Sequence, residues 1–258
     1  IRRNDCLKRS RWLSIQPMER RMHRFNDYRT RHDVLIPALF AGFAALLLFA
    51  LPATDWDAAI SGYYYDPEQA LFPLRDDVLL KDGLHDALRR VLWLSPLAVM
   101  VCLILSVRRQ GWSLRSRQWL WLLGAQLATP LVVSLLKHHT SPICPWDSVQ
   151  FGGQQIEPTF AFVSGKLAGQ CFPAGHPSGG WALIAYAYFW RDSRPRCSQI
   201  ALCLALALGT LMAWVQIARG AHQLSHVLWS LWICWLTIWL LYRFAWPGGH
   251  RQPITRGG

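Results

Sequence analysis

Three polar segments that lie far apart in the chain carry residue types suited to binding and transferring phosphate. The first spans residues 137–147, the second residues 171–180, and the third residues 216–226. Each segment directly adjoins a long apolar run. Ionisable residues beside a membrane-spanning segment are costly to keep there, so they indicate a functional site.

Cations and a helix start in these segments would bind the phosphate group. Lys137 and Arg219 would neutralise its oxygens, and an arginine can do so through two parallel hydrogen bonds. Ala174 and Gly175 lie where a loop enters a predicted helix. The free N–H groups and the positive dipole end of such a helix attract anions, and a glycine lets the backbone approach closely.

Histidines in the second and third segments would carry the chemistry. His222 and His176 can divide the roles of nucleophile and general acid. If the helix is unbroken, Arg219, His222 and His226 share one face, because they are three and seven residues apart. Elsewhere, a histidine is more simply interpreted as a solvated side chain, and four residues fit that interpretation: His23, His32, His85 and His250.

Six apolar runs provide the elements that must position these residues. The chain is 52% hydrophobic and contains 15 tryptophans. About 20 apolar residues suffice to cross a bilayer as a helix. These runs have no polar face to offer water, which disfavours a soluble protein. The predicted fold is therefore an all-α polytopic membrane protein with spans at 34–53, 91–107, 118–136, 177–190, 199–218 and 227–246.

The distribution of basic residues predicts the orientation. With both termini in the cytoplasm, the inner segments hold 20 of the 27 Lys and Arg residues, as the positive-inside rule requires. The net charge of +12 is therefore attributed to topology and lipid contact, not to nucleic acid. We divide the chain into a basic cytoplasmic tail at 1–33, a six-helix domain at 34–246 and a cytoplasmic tail at 247–258. Met18 or Met22 is expected to be the natural start.

A short segment before the second span is predicted to lie on the membrane surface. Residues 78–90 carry apolar positions at spacings that suit one face of an amphipathic helix. The apolar positions expected to face inward are Val78, Leu79, Leu84, Ala87 and Leu88.

The two cysteines of the outer loops can form a disulfide. Cys144 and Cys171 each flank one of the proposed site segments, and an oxidising compartment on that side would permit the bond. A bridge would tie the first segment to the second and would contribute about 2–4 kcal/mol to stability. The alternative is two unpaired small residues.

These motifs resemble those of the type-2 phosphatidic acid phosphatase superfamily, whose core is shared with vanadium haloperoxidases. The family pattern is Lys, six residues, Arg-Pro; then Pro-Ser-Gly-His; then Ser-Arg, five residues, His, three residues, Asp. Lys137 with Cys144 keeps the first spacing, and the string ending in His176 keeps the second with Ala174 in place of Ser. In the third, His222 matches the nucleophile and His226 takes the Asp position, as in a variant bacterial subgroup.

The resemblance implies a membrane enzyme of the bacterial inner membrane, with its active site facing the periplasm or exterior. It would hydrolyse a lipid-linked phosphate monoester or pyrophosphate through a phosphohistidine on His222, with His176 protonating the leaving oxygen. His226 would orient the nucleophile in place of Asp. The family requires no cofactor or metal. Two alternatives stay open: a lipid phosphotransferase, and a non-catalytic lipid-phosphate binder or transporter.

The topology can be tested with reporter fusions. A reporter fused after Gly258 is expected to report the cytoplasm, and one inserted near Gln154 the outer side, because of the basic-residue bias. Finding both reporters on one side would contradict the six-helix arrangement.

Overall fold

The computed structural model describes residues 35–163, 165 and 169–246. Across these ranges regular structure is helical, and extended pairing is limited to three isolated bridges. The predicted tails at 1–33 and 247–258 lie outside the described residues. The chain divides into two compact units after Leu48, and every residue of the candidate site lies in the second unit.

Eight helices form the described fold. Four of them, α3, α4, α7 and α8, are long and apolar enough to cross a membrane, and α1 is shorter. The fourth predicted span is built differently, from two short helices separated by a turn. The protein is thus an all-α multi-pass membrane protein. The helices are α1 Leu35–Ala50, α2 Trp56–Tyr64, α3 Leu79–Gln110, α4 Leu114–Lys137, α5 Gly175–Trp181, α6 Ile184–Trp190, α7 Pro195–Ala218 and α8 Leu224–Ala245.

The predicted surface helix at 78–90 is the outer part of α3 and is continuous with the second span. The predicted inward face is partly wrong, since Val78 and Leu79 are 72% and 68% exposed whereas Leu80 is buried. Residues Leu79–Ala87 form a π-helix, whose wider turn changes the positions that face inward. Leu80 packs with Val215 and Ala218 of α7, which brings the start of α3 against the end of α7.

Helices α5 and α7 approach each other until their backbones touch. A Cβ atom on Gly180 would lie 2.7 Å from the Cα of Gly209, and one on Gly209 would lie 2.1 Å from the Trp181 ring. Both distances are shorter than any real Cβ contact, so neither position accepts a side chain without movement. Small residues at helix crossings permit such close packing in membranes. This contact fixes the position of the short helix α5 relative to α7.

The turn between α7 and α8 is held from the outer side by aromatic residues. Gly220 has a φ of 73°, and a Cβ there would lie 2.5 Å from the Phe72 ring. Phe72 packs with Tyr65 and Phe151, at ring-centroid distances of 5.5 and 5.7 Å. The backbone N–H of Trp146 donates to the Gly220 carbonyl at 3.0 Å. The long loop before α3 and the long loop between α4 and α5 therefore both contact this turn.

The start of α8 is capped by a residue of another helix. Its own N-cap residue, Gln223, makes no side-chain cap bond. Instead, the Asp57 carboxylate of α2 accepts a hydrogen bond from the Ser225 N–H at 2.8 Å. A negative charge at this position is favourable because the N-terminal end of a helix is positive. The first turn of α8, which carries His226, is thereby anchored to α2.

The α5–α7 contact can be tested by adding a methyl group. We expect Gly209→Ala to destabilise the protein by about 1–3 kcal/mol through overpacking, measured as a lower melting temperature in detergent. The matched control is Gly124→Ala, because a Cβ at that helical position meets nothing within 4 Å. Equal melting temperatures for the two variants would show that α5 and α7 do not approach this closely.

Candidate active site

The structure brings residues of all three sequence segments together at one end of the helices. Lys137 ends α4, His176 lies in the first turn of α5, His222 lies in the turn before α8, and His226 lies in the first turn of α8. The Lys137 ammonium lies over the start of α5, 3.9 Å from where a Gly175 Cβ would be. Lys137, His176 and His226 all act electrostatically on the His222 ring.

The His222 ring is buried and held on one edge. It is 4% exposed, and its Nδ1 atom lies 3.3 Å from the Cys171 Sγ. The Cys171 backbone carbonyl also lies beside the rings of His222 and His226. The backbone N–H of His222 donates to the Gln216 carbonyl of α7 at 3.3 Å, which holds the residue as well as its ring. The ring therefore has its Nδ1 edge against the Cys171 segment.

Cys144 and Cys171 form a disulfide, with their Cα atoms 5.2 Å apart. The Cys171 sulfur has no proton to donate, so its approaches to His222 Nδ1 and to the Ala221 carbonyl, at 2.9 Å, are packing contacts. In the motif resemblance described above, Cys144 would take the position of an arginine. The crosslink joins the first sequence segment to the second, and Cys171 in turn contacts the third.

The His226 ring makes no direct hydrogen bond to the His222 ring of the kind that a carboxylate at its position would make. Its centroid lies 5.9 Å from that of His222 in an edge-to-face arrangement, and no hydrogen bond joins the two rings within the described chain. Its Nδ1 atom is buried without a hydrogen-bond partner. The ring also packs edge-to-face on Phe172, at 5.5 Å.

The Ala174 backbone, predicted to bind phosphate, is engaged elsewhere. Its N–H donates to the His226 carbonyl at 3.2 Å, and its carbonyl accepts from the Ser230 hydroxyl at 2.8 Å. Both bonds fasten the start of α5 to α8. The first-turn N–H groups that remain for an anion are those of Gly175 and His176, which have no intrahelical acceptor.

The shared face of Arg219, His222 and His226, which was predicted for an unbroken helix, does not form because the helix is broken between them. Gly220 ends α7 with a positive φ, so Arg219 belongs to the end of one helix and His226 to the next. The Arg219 Nε donates to the Arg75 carbonyl at 2.8 Å. Its guanidinium therefore faces the outer segment before α3, and the structure does not bring it together with Lys137 as the sequence predicted.

Sequence reasoning missed one histidine of the site. His85, interpreted above as solvated, stacks on the His176 ring with centroids 3.5 Å apart and planes 24° apart. Its Nδ1 atom lies 2.7 Å from the Asp86 carboxylate. Arg89, one turn further along α3, also acts electrostatically on His176. The available signal was a His-Asp pair within an amphipathic segment next to a span.

The charges of the site favour an anionic ligand. Burial, together with His226 and Lys137, holds the pKa of His222 well below its usual value of 6.5, because a buried ring loses the hydration that stabilises its cation. Within the described ranges no carboxylate forms an ion pair with Lys137. The site therefore combines a neutral imidazole with an unpaired ammonium.

Two groups of side chains have metal-ligand atoms within 4.8 Å of one another: Cys171, His222 and His226, and separately His85, Asp86 and His176. In the first group the disulfide removes the thiolate that a metal needs. In the second group the two rings are stacked. Imidazole lone pairs lie in the ring plane, so two nearly parallel rings do not point at one ion. Neither arrangement fits a metal without rearrangement.

Comparison with known proteins agrees with this geometry. The chain matches no curated protein. Among solved structures it is similar to a transmembrane PAP2-type phosphatidylglycerolphosphate phosphatase from Bacillus subtilis, with 18% sequence identity and a TM-score of 0.48, over 85% of this chain and 98% of that one. The model of the PAP2 superfamily matches residues 118–249, a range that contains Lys137, His176, His222 and His226. The chain belongs to the PAP2 superfamily.

Proposed function

We propose that this protein is a membrane phosphatase that hydrolyses a lipid-linked phosphate monoester or pyrophosphate through a phosphohistidine on His222. The observation that carries the proposal is the buried His222 ring, held at its Nδ1 edge by Cys171, in one site with Lys137 and His176. A neutral imidazole is a nucleophile, whereas its protonated form has no lone pair with which to attack phosphorus. The PAP2 membership and the multi-pass fold support the same reaction class.

The nucleophilic atom of His222 follows from its contacts. Because Nδ1 faces the Cys171 sulfur and carbonyl, Nε2 is the nitrogen left for the substrate. In the first step a bond forms from Nε2 to phosphorus, and the bond from phosphorus to the leaving oxygen breaks. The Cys171 segment then holds the ring in the orientation that the family obtains from a carboxylate.

His176 is the general acid of this proposal. Its Nε2 atom is buried without a hydrogen-bond partner, so a leaving oxygen at this position would satisfy it. His176 gives its proton to the leaving oxygen as the phosphoenzyme forms. It then takes a proton from the attacking water, the Nε2–phosphorus bond breaks, and inorganic phosphate is released.

The substrate would be held by charge and backbone. Lys137 neutralises the phosphate oxygens, and the N–H groups of Gly175 and His176 add hydrogen bonds to an anion. In the proposed topology this end of the helices faces the periplasm or exterior of the bacterial inner membrane. A lipid phosphotransferase would use the same phosphoenzyme and differ only in the acceptor. A non-catalytic binder would release no phosphate at all.

The nucleophile can be tested with purified protein and a panel of lipid phosphates. His222→Ala is expected to abolish phosphate release and the trapped phosphoenzyme together, with a loss on the order of 10³-fold or more. The control is His139→Ala, because His139 is exposed and its ring bonds to the Leu135 carbonyl. If His222→Ala retains near-native release, His226 becomes the nucleophile to test.

The contributions of Lys137 and Arg219 to phosphate binding can be distinguished by measuring the affinity of each variant for vanadate or phosphate. Lys137→Ala is expected to weaken binding by about 1.5–3 kcal/mol, the usual worth of a charged hydrogen bond. Arg219→Ala should weaken it less, since the Arg219 Nε is engaged by the Arg75 carbonyl. A larger loss in Arg219→Ala would show that the arginine turns toward the phosphate.

The pH dependence follows from the lowered pKa of His222. Because this ring stays neutral below its usual pKa of 6.5, the acid limb of kcat/KM is expected below that pH, and the alkaline limb reports loss of the His176 proton. If a limb of the profile reports ionisation of the substrate, its pH should differ between a lipid monophosphate and a lipid diphosphate. If it reports ionisation of the enzyme, its pH should be the same for both substrates. An acid limb at or above pH 6.5 with both substrates would contradict a neutral nucleophile.

A further inference from the structure

We propose that His85 is a positioning residue for His176, and that it connects the acid–base histidine to the Asp86 carboxylate. This inference rests on the proposed function and extends its machinery to α3. The PAP2 match begins at residue 118, so α3 lies outside the matched region.

The first argument is geometric. The two imidazole rings are stacked at a centroid distance of 3.5 Å and an angle of 24°, so His85 covers one face of His176 and restricts its rotation. This leaves the edge of the His176 ring open, including the buried Nε2 atom that has no hydrogen-bond partner. A ring held by its face and free at its edge is positioned to transfer a proton.

The second argument concerns why His85 itself is fixed. Its Nδ1 lies 2.7 Å from the Asp86 carboxylate, so neutral His85 donates its proton there and keeps its lone pair on Nε2. A carboxylate that accepts this bond makes the ring richer in electrons. An electron-rich aromatic face attracts a cation stacked on it. The pair therefore favours the protonated form of His176 that a general acid needs.

The third argument is the balance of charge around His176. The ionisable groups that act on it are His85, Arg89, Lys137 and Asp86, and it faces the His222 ring as well. Burial opposes a positive charge on His176, as do a protonated His85, Arg89 and Lys137, and only Asp86 favours one. With the His85–Asp86 pair removed, two cations would surround the general acid before the substrate phosphate arrives.

The helix geometry explains why this contact forms. The start of α3 is pressed against α7 by Leu80, Val215 and Ala218. His85 and Asp86 follow in the same π-helical segment, Leu79–Ala87, and π-helical turns are frequent at functional sites. A histidine that is merely solvated would make no stabilising contacts at this position. The stacking and the bond to Asp86 together show a ring with defined partners on two sides.

The test uses full-length protein in detergent and two substrates that differ in their need for a general acid. A dialkylglycerol phosphate has a poor leaving group, whereas para-nitrophenyl phosphate has a good one. For His85→Ala we expect kcat on the lipid phosphate to fall on the order of 10-fold to 100-fold, within the range for acid–base catalysis. With para-nitrophenyl phosphate the change should stay within about 3-fold, since that leaving group needs no proton.

Two further variants separate the stack from the carboxylate. His85→Phe keeps a ring over His176 but loses the bond to Asp86, and Asp86→Asn removes the charge. Both are expected to move the alkaline limb of kcat on the lipid phosphate to lower pH. Asp82→Asn is the control, since Asp82 lies in the same helix and is exposed. It should leave the profile unchanged.

The outcomes distinguish this inference from the proposed function. If the wild type forms no phosphoenzyme and releases no phosphate from either substrate, the proposed function fails. If the wild type is active and His85→Ala loses activity equally on both substrates, His85 has only a structural role and the inference is overturned. The same holds if the alkaline limb stays in place in His85→Phe and Asp86→Asn.

Discussion

The close approach of α5 and α7 is the constraint on which the site depends. Gly180 and Gly209 bring two backbones into contact, one helical turn after His176 in α5 and within α7, the helix that leads to the His222 turn. The two histidines belong to different helices and share no local connection. Their relative position is therefore set by helix packing, and the side chains around them only refine it.

The site lacks two charged groups of its family and meets their roles by other means. By the motif resemblance, a cysteine would take the position of the family arginine, and a histidine that of the carboxylate. Cys144 is instead part of a crosslink, and its partner Cys171 lies against Nδ1 of His222. In the proposed mechanism the orienting contact is made by the Cys171 segment. This arrangement avoids burying an additional carboxylate, which would carry a large desolvation cost.

Several parts of this structure were predictable from the sequence, and the reasons differ. The apolar runs gave the helices, because hydrophobic length is a local property. Lys137, His176 and His222 were found because spacing and residue type coincide with a motif. The disulfide was predicted because only two cysteines lie in the outer loops. The π-helical start of α3 was not predictable, since hydrophobic periodicity assumes 3.6 residues per turn.

The misplaced residues share a physical cause. Arg219 was assigned to a common face with the histidines, but the positive φ of Gly220 breaks the helix between them. Ala174 was assigned to phosphate because its N–H precedes a helix, but a neighbouring carbonyl takes it. His85 was set aside because its partner His176 is about 90 residues away. In each case a contact between distant segments decided the outcome, and such contacts cannot be predicted from the spacing of residues in the sequence.

The crosslink beside His222 has a consequence for biosynthesis. A disulfide forms and persists in an oxidising compartment and is reduced in the cytosol. In the proposed topology, a chain inserted the wrong way round would expose Cys144 and Cys171 to the reducing side. Its nucleophile would then lack the covalent frame of the correctly inserted molecule. Catalytic competence would thus be acquired only after translocation, and misoriented copies would remain without activity against lipids of the inner leaflet.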